Sequence, residues 1–179
     1  MAKPTSSHTD ESLAIRLQSG EIKALTTLID RYQAPLLRYT SYLGSSEPED
    51  IVQETFIKVY QNIQSFNIKK KFSSWIYRIA HNTGVSQMRS RRVSMPWEDY
   101  LDYFVKVDPE DSISKHEIKQ RVTKCLSGLP PKYRGPLVLY YLEDKSYLEI
   151  MDILRLPMGT VSARINRAKK IIKDLCQKI

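Results

Sequence analysis

Apolar residues recur at three- and four-residue steps along almost the whole chain, the spacing that gathers them on one side of an α-helix. Residues 10–18 open with acids and carry Leu13, Ile15 and Leu17, predicting a short first helix. Gly20 separates it from residues 21–43, where Ile22, Leu25, Leu28, Ile29, Tyr32, Leu36, Leu37 and Tyr39 keep the helical step. Pro35 lies inside that run and, lacking a backbone donor, predicts a bend. After Gly44-Ser45-Ser46, Pro48 with Glu47, Glu49 and Asp50 marks a new start, since proline suits a first turn and acids suit the positive end of the helix dipole. Ile51, Val52, Phe56, Val59, Tyr60 and Ile63 make the inward face of this third helix. Asp50, Gln53, Glu54, Ile57, Lys58 and Gln61 make the outward one, with a single apolar residue at its centre. Residues 64–71 read as a loop, and beyond them Phe72, Trp75, Ile76, Ile79, Ala80 and Thr83 predict a fourth helix with Trp75 inside.

Residues 95–115 lose the helical period and contain Pro96 and Pro109, which predicts a linker. Trp97, Tyr100, Tyr103 and Phe104 are too many aromatics for a purely solvated tether, so part of it should dock. The period resumes with Ile118, Val122, Cys125, Leu126 and Leu129 and stops at Pro130-Pro131. A following helix holds Leu137, Tyr140 and Leu142, with Gly135-Pro136 as an interruption that predicts a kink or a late start. Ser146 and Glu149 form a capping box, a reciprocal pair of hydrogen bonds that starts a helix. That helix is short, residues 155–158 turn, and Val161, Ile165, Ala168, Ile172 and Leu175 give the last helix an inward seam.

A short capped helix, a tight turn and an amphipathic helix make a helix-turn-helix, whose second helix enters the DNA major groove. Thr160 stands at its entrance, and Ser162, Ala163, Asn166, Arg167, Lys169, Lys170 and Lys173 face outward. Asparagine pairs with adenine and arginine with guanine, so Asn166 and Arg167 are the candidates for base readout, with the later lysines on phosphates.

Charge sharpens this picture. The 179 residues carry +8 overall, but the sign alternates: −3 over residues 1–54, +8 without any acid over 55–97, −5 over 98–117, +2 over 118–154 and +6 over 155–179. Two separated basic blocks suit two contacts with a polyanion, because clustered cations displace counterions condensed on phosphate. In the first block Tyr77, Arg78, His81, Asn82, Arg89, Arg91 and Arg92 share the outward side of the fourth helix. Aromatics interleaved with cations suit single-stranded nucleic acid, where bases stack and cations follow the backbone.

Other classes recede. No run approaches a membrane span, and the polar start lacks a signal peptide's apolar core, so a cytoplasmic protein without membrane insertion is expected. Cys125 and Cys176 have no CxxC spacing and read as packed thiols. His8, His81 and His116 are scattered, no phosphate-cradling glycine motif occurs, and no carboxylates have metal-ligand spacing. No enzyme, cofactor or metal site is expected. An autonomous helix-turn-helix regulator would account for residues 116–179, but it leaves the acid-free block unexplained.

Four segments carry a closer resemblance: Asp50-Ile-Val-Gln-Glu-Thr-Phe56, Phe72-Ser-Ser-Trp-Ile-Tyr-Arg-Ile-Ala-His-Asn82, Leu129-Pro-Pro-Lys-Tyr-Arg134 and Leu156-Pro-Met-Gly-Thr-Val161. They resemble the motifs of the extracytoplasmic-function (ECF) group of bacterial sigma-70 family factors. The resemblance implies an all-α chain of two small helical domains joined by an acidic linker. Region 2 would span residues 10–93, the linker 94–115 and the region 4 helix-turn-helix 116–179. Such a protein binds core RNA polymerase, directs it to promoters and helps melt the minus-ten element; an anti-sigma factor is a further expected partner. Carried over residue by residue, polymerase contact falls on Asp50, Gln53, Glu54 and Ile57. Melted strand falls on the loop with Phe66, Asn67, Lys69, Lys70 and Lys71 and on Tyr77 and Asn82, with Arg78 among the basic residues beside them. Arg89, Arg91 and Arg92 follow duplex backbone. Minus-thirty-five contacts fall on Thr160, Ser162, Ala163, Asn166, Arg167 and Lys170. The linker's acids would occupy polymerase channels that otherwise hold nucleic acid.

Overall fold

A computed structural model of the chain describes residues 8–92, Val122 and residues 125–176; the expected linker lies outside them. In chain order the elements are α1 (Asp10–Gln18), α2 (Ile22–Leu43), α3 (Pro48–Asn62), a 3-10 turn (Ile63–Ser65), α4 (Phe72–Arg92), α5 (Pro131–Tyr141), α6 (Tyr147–Leu154) and α7 (Met158–Cys176). The described residues contain no strand.

Local chemistry sets most of these boundaries. The Thr9 side chain accepts the amide of Ser12 at the head of α1, and Asp10 fastens that helix to α2 by accepting from Arg31 Nη1 and from the Tyr32 hydroxyl, both at 2.6 Å. Leu13, Ala14 and Leu17 are the buried residues of α1, whereas Ile15 is 47 % exposed. Helical geometry explains the difference: residues two apart point to opposite sides, so Ile15 does not share the face of Leu13 and Leu17. α2 runs through Pro35 and ends at Gly44, whose left-handed φ of 98° closes it. Leu28, Leu36, Tyr39, Leu43, Ile51, Val59, Phe72 and Ile76 build the core of this first bundle.

In the second bundle α5 starts at Pro131, and Pro136 lies within it, so the helix neither starts late nor breaks. Gly135 has a positional reason instead. A Cβ there would stand 3.1 Å from His81 Cε1 and 3.6 Å from Leu43 Cδ1, so the missing side chain lets α5 press against α2 and α4. That contact offsets the roughly 1 kcal/mol that glycine costs inside a helix. Arg134 reinforces it by donating to the carbonyls of Leu43 (3.1 Å) and Leu129 (2.9 Å). The expected capping box is present on α6, with Glu149 N donating to Ser146 Oγ (3.3 Å) and Ser146 N to Glu149 Oε2 (2.9 Å).

Cys125 is disulfide-bonded, which corrects the expectation of a packed thiol; the side chain completing the bond lies outside the described residues. Sequence spacing gave no hint of it. Nearby, Gly128 lets the chain pack closely on α7: a Cβ there would lie 2.8 Å from Leu175 Cδ1.

The two bundles also pack on each other, α4 against α6 and α2 against α5.

Candidate nucleic-acid and polymerase surfaces

On α7 the inward seam is closed and the outward face is open. Val161, Ile165 and Ala168 are buried, while Ala163, Asn166, Arg167 and Lys170 are exposed and Thr160 and Ser162 half-buried. The turn before it is fixed by Arg155, which takes a left-handed φ of 55°. Helix geometry therefore presents Ala163, Asn166, Arg167 and Lys170 together, one turn apart, free to meet a groove.

α3 presents a second open surface. Asp50 and Gln53 are exposed, and Ile57 is 56 % exposed. Glu54 is half-buried, held by Lys58 at 2.7 Å and by Gln87 Nε2 at 3.2 Å; hydrogen bonds and charge from Lys58 lower its pKa. Tyr60, expected inside, is 50 % exposed and extends the apolar patch around Ile57. Thr55 takes the inward place instead, donating to the Ile51 carbonyl within its own helix. The hydrophobic pattern could not separate these two, because Tyr60 sits on the edge of the apolar arc.

The acid-free block is divided. Asn67, Lys69, Lys70, Asn82 and Arg89 are exposed. Arg91 and Arg92 continue α4, and their side chains lie outside the described residues. Phe66 is in the core, 4 % exposed, its ring 5.4 Å from that of Phe72 and 5.1 Å from that of Trp75. Trp75 is 8 % exposed, as a structural residue should be. With its ring so enclosed, Phe66 has no face to offer a base.

Three other members of the block meet the second bundle. Tyr77 is 2 % exposed, its hydroxyl donating to Glu143 Oε2 at 2.6 Å and its ring lying 4.6 Å from Lys145 Nζ. Arg78 Nη1 faces Asp152 Oδ1 at 3.5 Å, and Lys71 Nζ donates to Glu149 Oε1 at 3.0 Å. Glu143 also receives Arg38 in a two-pronged pair. Titration follows this packing. Burial and the Glu143 carboxylate push the Tyr77 hydroxyl far up. Burial, then the neighbouring Arg155, lowers the pKa of Arg78. For Glu149 burial acts upward, but hydrogen bonds from Ser146 and the Lys71 ammonium outweigh it and hold the carboxyl at about 2. Burial and the nearby Arg164 lower His81 to about 4. Sequence reasoning assigned no role to Arg38, Glu143 or Asp152, and no local motif marks them.

A helical bundle joined to a helix-turn-helix, with an open outward face on α7 and a separate exposed apolar patch on α3, defines a two-part all-helical protein of the helix-turn-helix class. Family models agree on both halves: sigma-70 region 2 matches residues 28–93 and sigma-70 region 4 matches residues 119–172. The chain is 37 % identical over 183 residues to the ECF RNA polymerase sigma-E factor of Haemophilus influenzae, covering 94 % of this chain and 96 % of that one. It is 34 % identical over 175 residues to the ECF RNA polymerase sigma factor SigW of Bacillus subtilis, covering 88 % and 91 %. In fold it is similar to CnrH in complex with the cytosolic domain of CnrY, with a TM-score of 0.74, 23 % identity and coverage of 94 % and 97 %. It is also similar to the sigma factor RpoE of Bartonella quintana in complex with the anti-sigma factor NepR, with a TM-score of 0.69, 24 % identity and coverage of 87 % and 98 %. The chain belongs to the ECF group of the sigma-70 family.

Proposed function

We propose that this protein is an RNA polymerase sigma factor that mounts on core polymerase, brings it to particular promoters and helps open the minus-ten element. The observation that carries this is the pairing of two surfaces in one family member: an open α7 face with Asn166 and Arg167, and an open α3 face around Ile57. The first suits duplex readout. The second has the exposed apolar centre and charged border of a docking patch. Asp50, Gln53, Glu54 and Ile57 meet the polymerase, joined by Tyr60. Ser162, Ala163, Asn166 and Arg167 read the minus-thirty-five element, with Thr160 and Lys170 beside them. Asn67, Lys69, Lys70, Lys71, Tyr77, Arg78 and Asn82 hold melted strand, and Arg89, Arg91 and Arg92 follow the duplex. It acts in the cytoplasm, has no catalytic centre of its own and needs no cofactor. An anti-sigma factor is a further partner, in keeping with the anti-sigma complexes formed by the RpoE relative.

Run-off transcription on a promoter library, with and without purified core polymerase, tests this. Transcripts that appear only when both proteins are present support the reading. Tight, specific duplex binding without core, and no transcripts with it, would instead indicate an autonomous helix-turn-helix regulator.

A further inference from the structure

A seam inside the second bundle combines loose packing with a covalent bond. Residues 122 and 125–127 are helical and lie beside the last turns of α7. Between them opens an apolar cavity of about 620 Å³, lined by Val122, Leu126, Leu137, Tyr141 and Ile172. Side chains bordering such a space lack the partner atoms that close packing supplies, so contact alone holds this seam weakly. Cys125 stands on the wall of the cavity, 7 % exposed and disulfide-bonded. The chain has one other cysteine, Cys176, which is the last residue of α7. Its neighbour Leu175 is the residue that Gly128 meets at this end of the seam.

We propose that Cys125 and Cys176 are a reversible thiol–disulfide pair that fastens α7 when oxidised, so that the redox state of the cell sets how firmly the second bundle holds together. The proposal rests on the function given above, which makes α7 the reading helix and the cytoplasm the compartment. Thiol pools there keep cysteines reduced, and a disulfide in that setting is characteristically transient or redox-sensing. Release runs by thiol–disulfide exchange with a cellular dithiol. One thiolate of the dithiol attacks a sulfur of the bond, and the other sulfur leaves and takes a proton. The second thiol of the dithiol then displaces the remaining cysteine, which is protonated in turn, and the dithiol ends as a disulfide. Two electrons and two protons have passed to the protein, and a disulfide oxidant of the same class reverses the steps. The bond encloses α5, α6 and α7 in one loop, and such closure stabilises a fold by restricting its unfolded chain. The first bundle contains no cysteine, so the α3 patch is left alone while the reading helix responds.

The full chain, oxidised with glutathione disulfide or reduced with dithiothreitol, tests this beside Cys176→Ser. Iodoacetamide labelling in denaturant, read by mass spectrometry, should find no reactive cysteine in the oxidised parent and both after reduction. In melting followed by circular dichroism, reduction should lower the parent's second-bundle transition by about 10 °C or more. Cys176→Ser should melt like the reduced parent in both buffers. With core polymerase bound, at a temperature between the two transitions, reduction should weaken the parent's preference for an intact over a scrambled upstream element about tenfold, as the folded fraction falls. Cys176→Ser, which controls for thiols of the polymerase, should show the weaker preference throughout. The proposal is overturned if the oxidised parent keeps two reactive thiols, if reduction leaves its melting unchanged, or if both redox forms recognise the upstream element equally. Run-off transcription separates the two levels: its absence in both redox states removes the functional reading, whereas labelling and melting judge the pair with neither polymerase nor DNA present.

Discussion

Arg38 and Glu143 stand 105 residues apart and meet through two parallel hydrogen bonds, with the carboxylate buried and the guanidinium half in solvent. An acid in that position needs its partners, because a buried charge stripped of them keeps its full desolvation cost. The Tyr77 hydroxyl is the third of those partners. Tyr77→Phe should therefore lower unfolding stability by about 1–3 kcal/mol, the cost of leaving one buried polar contact unmade. Urea denaturation measures it, and a stability equal to the parent's would mean that Glu143 finds a replacement donor.

Gly135 limits how near the bundles come. Valine at this position would drive a methyl group into His81, whose Cε1 already lies 3.1 Å from the site of a Cβ. Gly135→Val should cost about 1–3 kcal/mol, the range for overpacking a filled site. Thermal melting followed by circular dichroism checks this. If His81 can step aside, the melting temperature will not fall.

His81 makes the same joint sensitive to acid. Its Nδ1 lies 2.7 Å from the Tyr39 hydroxyl, and its pKa falls from 6.5 to about 4 on folding, through burial and the neighbouring Arg164. A base with a depressed pKa in the native state leaves the unfolded chain holding more protons. Stability should be level above pH 6.5 and decline as the pH falls from there to about 4. His81→Asn should flatten the curve in that window. A variant with the parent's slope would move the origin of the decline to other groups.

Ile57 and Tyr60 are half-exposed or more, with nothing of the described chain against their outer sides. Ile57→Asp and Tyr60→Asp should each weaken binding to core polymerase by roughly tenfold or more, as loss of an interface anchor does. Melting temperatures should hardly change. Fluorescence anisotropy with labelled protein and purified core reads the affinity, and full binding by both variants would place the polymerase contact elsewhere.

On α7, Asn166→Ala and Arg167→Ala should each cost about 1–3 kcal/mol in recognition of the upstream promoter element. Lys170→Ala should weaken all sequences alike and make binding less steep in salt. Competition between cognate and altered promoters, using the polymerase-bound protein, distinguishes the two. An unchanged preference in the Asn166 and Arg167 variants would remove them from base readout.

Much of the fold was legible along the chain because each helix carries its own instructions. Pro48 and its acids start α3, Ser146 and Glu149 cap α6, Pro131 begins α5, and the step of Val161, Ile165 and Ala168 turns α7 inward. Those signals act over four residues or fewer, so a single sequence contains them whole. The same holds for the outward residues of α7, which follow from the seam by rotation. A departure arose at the margin of such a pattern: Tyr60 lies at the rim of an apolar arc and is half exposed.

The joint between the bundles is of another kind. Glu143 and Asp152 have no periodic neighbour or motif to mark them, and Gly135-Pro136 reads locally as a flaw in a helix. Their meaning depends on which groups stand opposite, and Arg38, His81 and Arg78 come from distant stretches of chain. Sequence alone settled the helices, the two domains and the sign of each charged block. Which cations remain open to a polyanion, and which already hold a carboxylate, was decided only when long-range packing brought opposite charges within hydrogen-bonding distance.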